Sequence, residues 1–286
     1  MLSNCLIFDW YSCGVDCDFS VIKDRLSTHY KSLDYDWVSV NPKNGYLYSL
    51  RLLDASGARV CQLSWGGDHV GTMTMVESSG AACDAFVAIL RYEFPEHRIN
   101  RIDIAVDYNE PAAWESLYNL GRVTARECFR RPLKQEFIGE PESELSPPNP
   151  SRGRTLYVGS RQSVGYLRIY EKGIKEGLSV DWVRVEYEFK PENSLARMMY
   201  ATATPAQIMT STSLGEFVLR QLLGVRAVRP CPPGAIRSLV DRERSLRAFQ
   251  RQWLPFIKSE LERAGGSPEE LLRVLFDDTL SGALRA

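Results

Sequence analysis

One ten-residue segment constrains this chain more than any other: Ile99-Asn100-Arg101-Ile102-Asp103-Ile104-Ala105-Val106-Asp107-Tyr108. Side chains alternate across a β-strand, so Arg101, Asp103, Ala105 and Asp107 point one way while Ile102, Ile104 and Val106 point the other. The apolar set has to pack on a core. The opposite face then carries two carboxylates four positions apart, which must be solvated, paired with basic side chains or bound to a cation. Hard divalent metals prefer carboxylate oxygens, and an amphipathic strand whose acids pair with arginines satisfies the same pattern.

The rest of the chain supplies a sheet for this strand. Leu6 to Tyr11, Tyr46 to Leu53, Arg59 to Trp65 and Gly71 to Glu77 read as strands, the last two paired around Gly66-Gly67. Phe19 to Tyr30 and Ala81 to Phe94 have helical spacing, the second stopped by Pro95, and Trp114 to Leu120 reads as a short helix. After a Pro- and Ser-containing exposed loop over residues 140–152, strands resume at Arg154 to Gly159, Val164 to Tyr170 and Trp182 to Phe189. From Ser194 the pattern turns helical. The expected architecture is α+β: an antiparallel-rich central sheet with helices packed on it, over residues 1–225, followed by a helical extension, 226–286. No internal repeat is evident.

Composition excludes several classes. The 286 residues, 44% hydrophobic and 25% charged, can bury a full core. No apolar run approaches the roughly twenty residues that cross a bilayer, and no leader-like segment opens the chain, so no membrane association and a cytoplasmic location are expected. Seven cysteines are too scattered for a disulfide framework, and Cys13 and Cys17 lack a second pair at zinc-ligand spacing. The net charge of -1 argues against a uniformly basic DNA-binding protein. Local charge is different: from Ala235 to Arg263 an amphipathic helix carries Arg237, Arg242, Arg244, Arg247 and Arg251 against Asp241 and Glu243, giving a basic face suited to DNA or to local ion pairs.

Two further segments carry chemistry. In Gly165-Tyr166-Leu167-Arg168-Ile169-Tyr170-Glu171-Lys172, the residues Tyr166, Arg168, Tyr170 and Lys172 share a face. A phenol between cations is a candidate nucleophile, since its pKa near 10 must be overcome by proton removal or anion stabilisation. In Val183-Arg184-Val185-Glu186-Tyr187-Glu188, the residues Arg184, Glu186 and Glu188 share a face. If these strands are neighbours, Asp103, Asp107, Glu186 and Tyr170 meet on one surface. Tyr157 and Tyr187 fall on the core side by the same alternation, whereas parity does not separate Tyr166 from Tyr170.

The ordered set INRIDIAVDY, TLYVGSRQSVGYLRIYEKG and VRVEYEFK resembles the replication initiation factor family of rolling-circle plasmids and filamentous phages, also called the Rep_trans family. The likeness runs over roughly residues 5–225, more weakly at CLIFDWYSC and LSWGGDHVGTMTMVESSGAAC. The paired histidines of the other large class of rolling-circle initiators are absent.

The resemblance implies an enzyme that nicks one strand of origin DNA and becomes joined to it. Tyr170 matches the nucleophile, Asp103, Asp107 and Glu186 the holders of Mg2+ or Mn2+. Arg168 and Lys172 would stabilise the developing charge, and Arg154, Arg161, Arg242 and Arg247 would contact single- and double-stranded origin DNA. The products would be a 5′-phosphotyrosine and a free 3′-hydroxyl that a host polymerase extends. Two other readings stay open: a non-cutting DNA-binding replication regulator, and a metal-dependent hydrolytic nuclease. For the C-terminal helices, origin reading, formation of a homodimer and recruitment of a host helicase are all open.

Overall fold

The structure is a computed structural model describing residues 5–30, 34–67, 71–139 and 153–223, together with 246, 249, 253–269 and 271–273. The chain divides into two compact units, Met1–Pro233 and Gly234–Ala286. In the second, residues 253–263 are helical. The loop expected over 140–152 and the candidate DNA-binding residues Arg242 and Arg247 lie outside the described residues.

In chain order the first unit contains β1 (Ile7–Val15), α1 (Phe19–Tyr30), β2 (Asp36–Ser39), β3 (Tyr48–Leu53), β4 (Arg59–Trp65), β5 (Thr74–Ser79), α2 (Cys83–Glu93), β6 (Arg98–Asn109), α3 (Ala113–Glu127), β7 (Gln135–Ile138), β8 (Thr155–Gly159), β9 (Gly165–Glu171), α4 (Lys172–Lys175), β10 (Trp182–Phe189), α5 (Ser194–Met199), α6 (Pro205–Met209) and α7 (Ser213–Leu223). The strands form one ten-stranded sheet in the order β2-β3-β4-β5-β1-β6-β10-β9-β8-β7. Every neighbouring pair is antiparallel. This is the α+β arrangement expected from the sequence.

The sheet also has a regularity that the sequence conceals. Its first half is a strand, a helix and four more strands, the last returning beside the first; its second half, from β6 to β10, repeats that order. The halves join through the antiparallel pair β1 and β6.

Alternation along the central strands separates two faces. Tyr11, Ile102, Ile104, Val185, Tyr187, Leu167, Ile169 and Leu156 are buried and form the core side. The helices pack there: Arg91 of α2 lies over the rings of Phe8 and Tyr11, and Thr212 at the head of α7 is hydrogen-bonded to the Tyr187 hydroxyl at 2.5 Å. The short helix expected from Trp114 is in fact fifteen residues long. Gly121 interrupts its apolar pattern in the sequence, yet Gly121 is where the helix touches the sheet. A Cβ there would stand 2.6 Å from Leu156 Cδ2 and 2.8 Å from Ile169 Cδ1. No helix among the described residues is long and apolar enough to cross a membrane.

Candidate functional site

The face of the sheet turned away from these helices holds the charged residues, and the strand register decides which of them meet. Asp103 stands opposite Glu188, Ala105 opposite Glu186, and Asp107 opposite Arg184. On the other side of β10, Glu188 faces Tyr166, Glu186 faces Arg168, and Arg184 faces Tyr170. The register of β1 shifts between Phe8 and Trp10. This bulge releases Asp9 from the strand's alternation.

Asp103, Glu186, Glu188 and Arg184 are all buried. Buried charges have to be paired, and here two linked groups do so. Arg168 bonds Asp103 at 2.8 Å and Glu186 at closer range, while Arg101 donates to Asp103 at 2.7 Å and to Glu188 at 2.9 Å. Lys190 reaches Glu188 from the rim. In the second group Arg184 binds Asp107 through a two-point bond, 2.7 and 2.6 Å, and also binds Asp9. The Trp182 indole donates to Asp107 at 2.9 Å.

The proton affinities follow from this packing. Burial pushes the Glu186 carboxyl up to about 7; Arg168 opposes the shift, and a hydrogen bond with Asp103 and the charges of Asp103 and Asp9 reinforce it. For Asp107 burial acts upward, but hydrogen bonds from Arg184 and Trp182 outweigh it and hold the carboxyl below its usual range. Tyr170, itself buried, has its phenol raised well above the ordinary range. Burial is the main cause, followed by the charge of Glu186; Arg184 opposes, and Asp9 and a hydrogen bond to Glu186 add to the rise.

The residues singled out in the sequence are distributed as follows. Asp103, Asp107, Glu186, Arg168 and Tyr170 lie on one face, with Asp103 and Glu186 gathered around Arg168 and Asp107 held separately by Arg184. Lys172 does not continue the strand: it opens α4, where it bonds Glu176 at 2.7 Å and lies 5.9 Å from the Trp182 ring centre. Arg154 is on the opposite, helix-bearing side. Its guanidinium bonds Glu171 at 2.7 Å and lies 4.7 Å from the Trp114 ring centre. Arg161 is exposed in the turn between β8 and β9.

A further expectation is corrected. Tyr157 is not in the core: it stands opposite Arg168, half-buried, on the acidic face. Tyr187 is fully in the core, as alternation requires. The sequence reading missed Asp9, which an unforeseen bulge turns toward the acids, and gave no role to Lys175, whose ammonium lies 5.5 Å from the Tyr170 ring centre.

Among the described residues no three His, Cys, Asp or Glu side chains converge as a ready metal cage. The donor set nevertheless suits a hard divalent cation. Asp9, Asp103, Asp107, Glu186 and Glu188 outnumber Arg101, Arg168 and Arg184 on this face, even with Lys190 at its rim. Carboxylate oxygens in such excess are the ligands that hard divalent cations prefer.

The site thus sets a buried tyrosine beside a surplus of carboxylates on one face of the sheet. Residues 97–217, from just before β6 into α7, match the family of replication initiation factors, the one that the sequence motifs resemble. That span contains Asp103, Asp107, Tyr170 and Glu186. The fold is similar to that of a rolling circle replication initiator protein from Geobacillus stearothermophilus, at 21% identity and a TM-score of 0.50, covering 75% of this chain and 84% of that one. No curated protein matches the chain.

Proposed function

We propose that this protein is a rolling-circle replication initiator that nicks one strand of origin DNA through Tyr170. The observation that carries the reading is that the strand register sets Tyr170 on the same face as Asp103, Asp107 and Glu186, within the residues that match the replication initiation factors.

In the proposed step the Tyr170 oxygen attacks the scissile phosphorus and its proton passes to solvent. The bond from phosphorus to the 3′ oxygen breaks, and that oxygen leaves as a hydroxyl after taking a proton from solvent. The 5′ phosphate remains on the tyrosine. One phosphodiester is exchanged for another, so no oxidant or nucleotide is consumed. A divalent ion, Mg2+ or Mn2+, held by Asp103 and Glu186 with Asp9 and Asp107 near by, would supply charge neutralisation to the phosphate oxygens.

The protein's own cations have distinct places in this scheme. Arg168 holds Asp103 and Glu186 in position and keeps a buried Nε without a hydrogen-bond partner, a donor that a phosphate oxygen would satisfy. Lys175 approaches the ring of the nucleophile, while Lys172 adds to the positive field around Asp107. Arg161 is exposed toward the DNA backbone, whereas Arg154 is occupied by Glu171.

The test incubates the purified chain and its Tyr170→Phe variant with Mn2+ and labelled single-stranded or supercoiled DNA of its own replicon. A denaturant-resistant adduct on the 5′ end that disappears in Tyr170→Phe is the expected result. Metal-dependent cutting without an adduct would identify a hydrolytic nuclease, and binding without cutting a regulator.

A further inference from the structure

The turn between β8 and β9 lies beside the site, and the proposed chemistry makes no use of its rings. The Tyr157 and Tyr166 rings are nearly parallel, 14° apart with centres 5.7 Å apart. Gly159 stands opposite Tyr166. The Tyr157 ring therefore meets Tyr166 along the diagonal between the two strands. The backbone at Gly159 has φ +99, outside the range of ordinary side-chain-bearing residues. The turn that follows is closed by a bond from Ser163 N–H to Ser160 O at 2.9 Å. It presents Arg161, exposed, with its guanidinium 5.9 Å from the Tyr166 ring centre.

The position of this group matters more than its composition. Tyr157 faces Arg168, and Arg168 faces Glu186 across the next strand pair. Tyr170 is two residues farther along β9. With strands about 4.8 Å apart and residues rising about 3.3 Å each, the Tyr157 ring is within a nucleotide step or two of the phenol of Tyr170. A flat ring pair with an arginine at its edge, on the same face as a phosphate-handling site, has the chemistry that accepts an unpaired base on the rings and its phosphate on the cation.

We infer that Tyr157, backed by Tyr166 and flanked by Arg161, is a subsite for one unpaired nucleotide next to the phosphate that Tyr170 attacks. This rests on the reading of Tyr170 given above and adds the requirement that the DNA be single-stranded at that nucleotide. Glu136, opposite Tyr157 on β7 and held by Lys134 at 3.7 Å, borders the subsite on its outer side.

Binding and cutting test the two readings separately. The full chain is titrated into a fluorescent oligothymidylate of about fifteen nucleotides, into the same oligomer with its bases replaced by abasic units, and into a duplex. Tyr157→Ala is expected to weaken oligothymidylate binding about tenfold. Tyr157→Phe, which keeps the ring, is expected to retain it. The abasic oligomer should bind the wild type and Tyr157→Ala alike, and Arg161→Gln should reduce the salt dependence with every oligomer.

Unchanged oligothymidylate binding by a folded Tyr157→Ala would overturn the subsite, as would an equal loss on the abasic oligomer. If Tyr157→Ala does not fold, the Phe and Trp variants decide, since ring-bearing variants that lose the preference for bases over abasic units also overturn it. No adduct with the wild type, or an adduct that persists in Tyr170→Phe, overturns the nicking reading and leaves this binding result standing on its own.

Discussion

Arg184 on β10 bonds Asp9 on β1 across the whole width of β6, the strand that lies between them. The same guanidinium grips Asp107 of that intervening strand. Three strands, and both halves of the sheet, are therefore fastened by one buried side chain. Replacing Asp9 by Ala leaves part of the Arg184 fork unpaired in a buried site, and a loss of about 1–3 kcal/mol is expected. Urea unfolding midpoints of Asp9→Ala and wild type measure it; equal midpoints would mean that the bond contributes nothing to stability.

The two tyrosines that share the site face are expected to separate cleanly. Tyr170→Phe should abolish the covalent adduct with DNA, because a phenyl ring has no oxygen to attack with. Tyr166→Phe should form adduct, since its role is to back the Tyr157 ring. Gel analysis after denaturation, with both variants at matched concentration, gives the answer.

Stability should depend on pH through Glu186. Its carboxyl is raised from an ordinary 4.5 to about 7 in the folded chain, so the folded state holds a proton that the unfolded state has released. The contribution of this group is complete below about pH 4.5 and is lost as the pH rises through about 7. Glu186→Gln should flatten the stability profile over that interval. A divalent cation on these acids competes with the proton, so the rise in melting temperature caused by Mn2+ should grow from pH 5 to pH 7.

At Gly121 two effects oppose each other. Alanine favours a helix over glycine by about 1 kcal/mol, yet its Cβ would meet Leu156 and Ile169 at 2.6 and 2.8 Å. Overpacking of this kind costs about 1–3 kcal/mol. Gly121→Ala is therefore expected to be neutral to destabilising, and Gly121→Val clearly destabilising, by thermal unfolding. A stabilised alanine variant would show that α3 can move away from the sheet at little cost.

Residues 97–217 expressed alone should not reproduce the site. Without β1 the long strand β6 has an unpaired edge in the middle of the former sheet, and Arg184 loses Asp9. Aggregation, or a circular dichroism spectrum lacking cooperative unfolding, is the expected outcome.

The sequence disclosed the central strands because their faces differ so sharply: Ile102, Ile104 and Val106 against Asp103 and Asp107 leave one orientation open. The same alternation put Asp103, Asp107, Glu186 and Tyr170 on one face, without separating Tyr170 from Tyr166. What the sequence hid lay where alternation breaks. Asp9 belongs to the site only because β1 bulges beside it, and Lys172 leaves the face because the strand ends at Glu171. Tyr157 was assigned to the core by counting, whereas its register with Arg168 depends on the strand partner, a long-range fact. Arg154 has the composition of a DNA contact, but Glu171 and Trp114 take up its charge and its plane.

The repeated order of the two half-sheets has a consequence for how such chains diverge. The two half-sheets share a single set of acids, most of them on the second, so under the proposed function the first half carries shape but little chemistry to conserve. Substitutions there are filtered mainly by packing along the β1–β6 seam. Kinship should then be easiest to detect in the second half, and the match over residues 97–217 falls there, beginning at the threshold of β6. In the first half ancestry would be legible in the succession of strands long after it has faded from the letters.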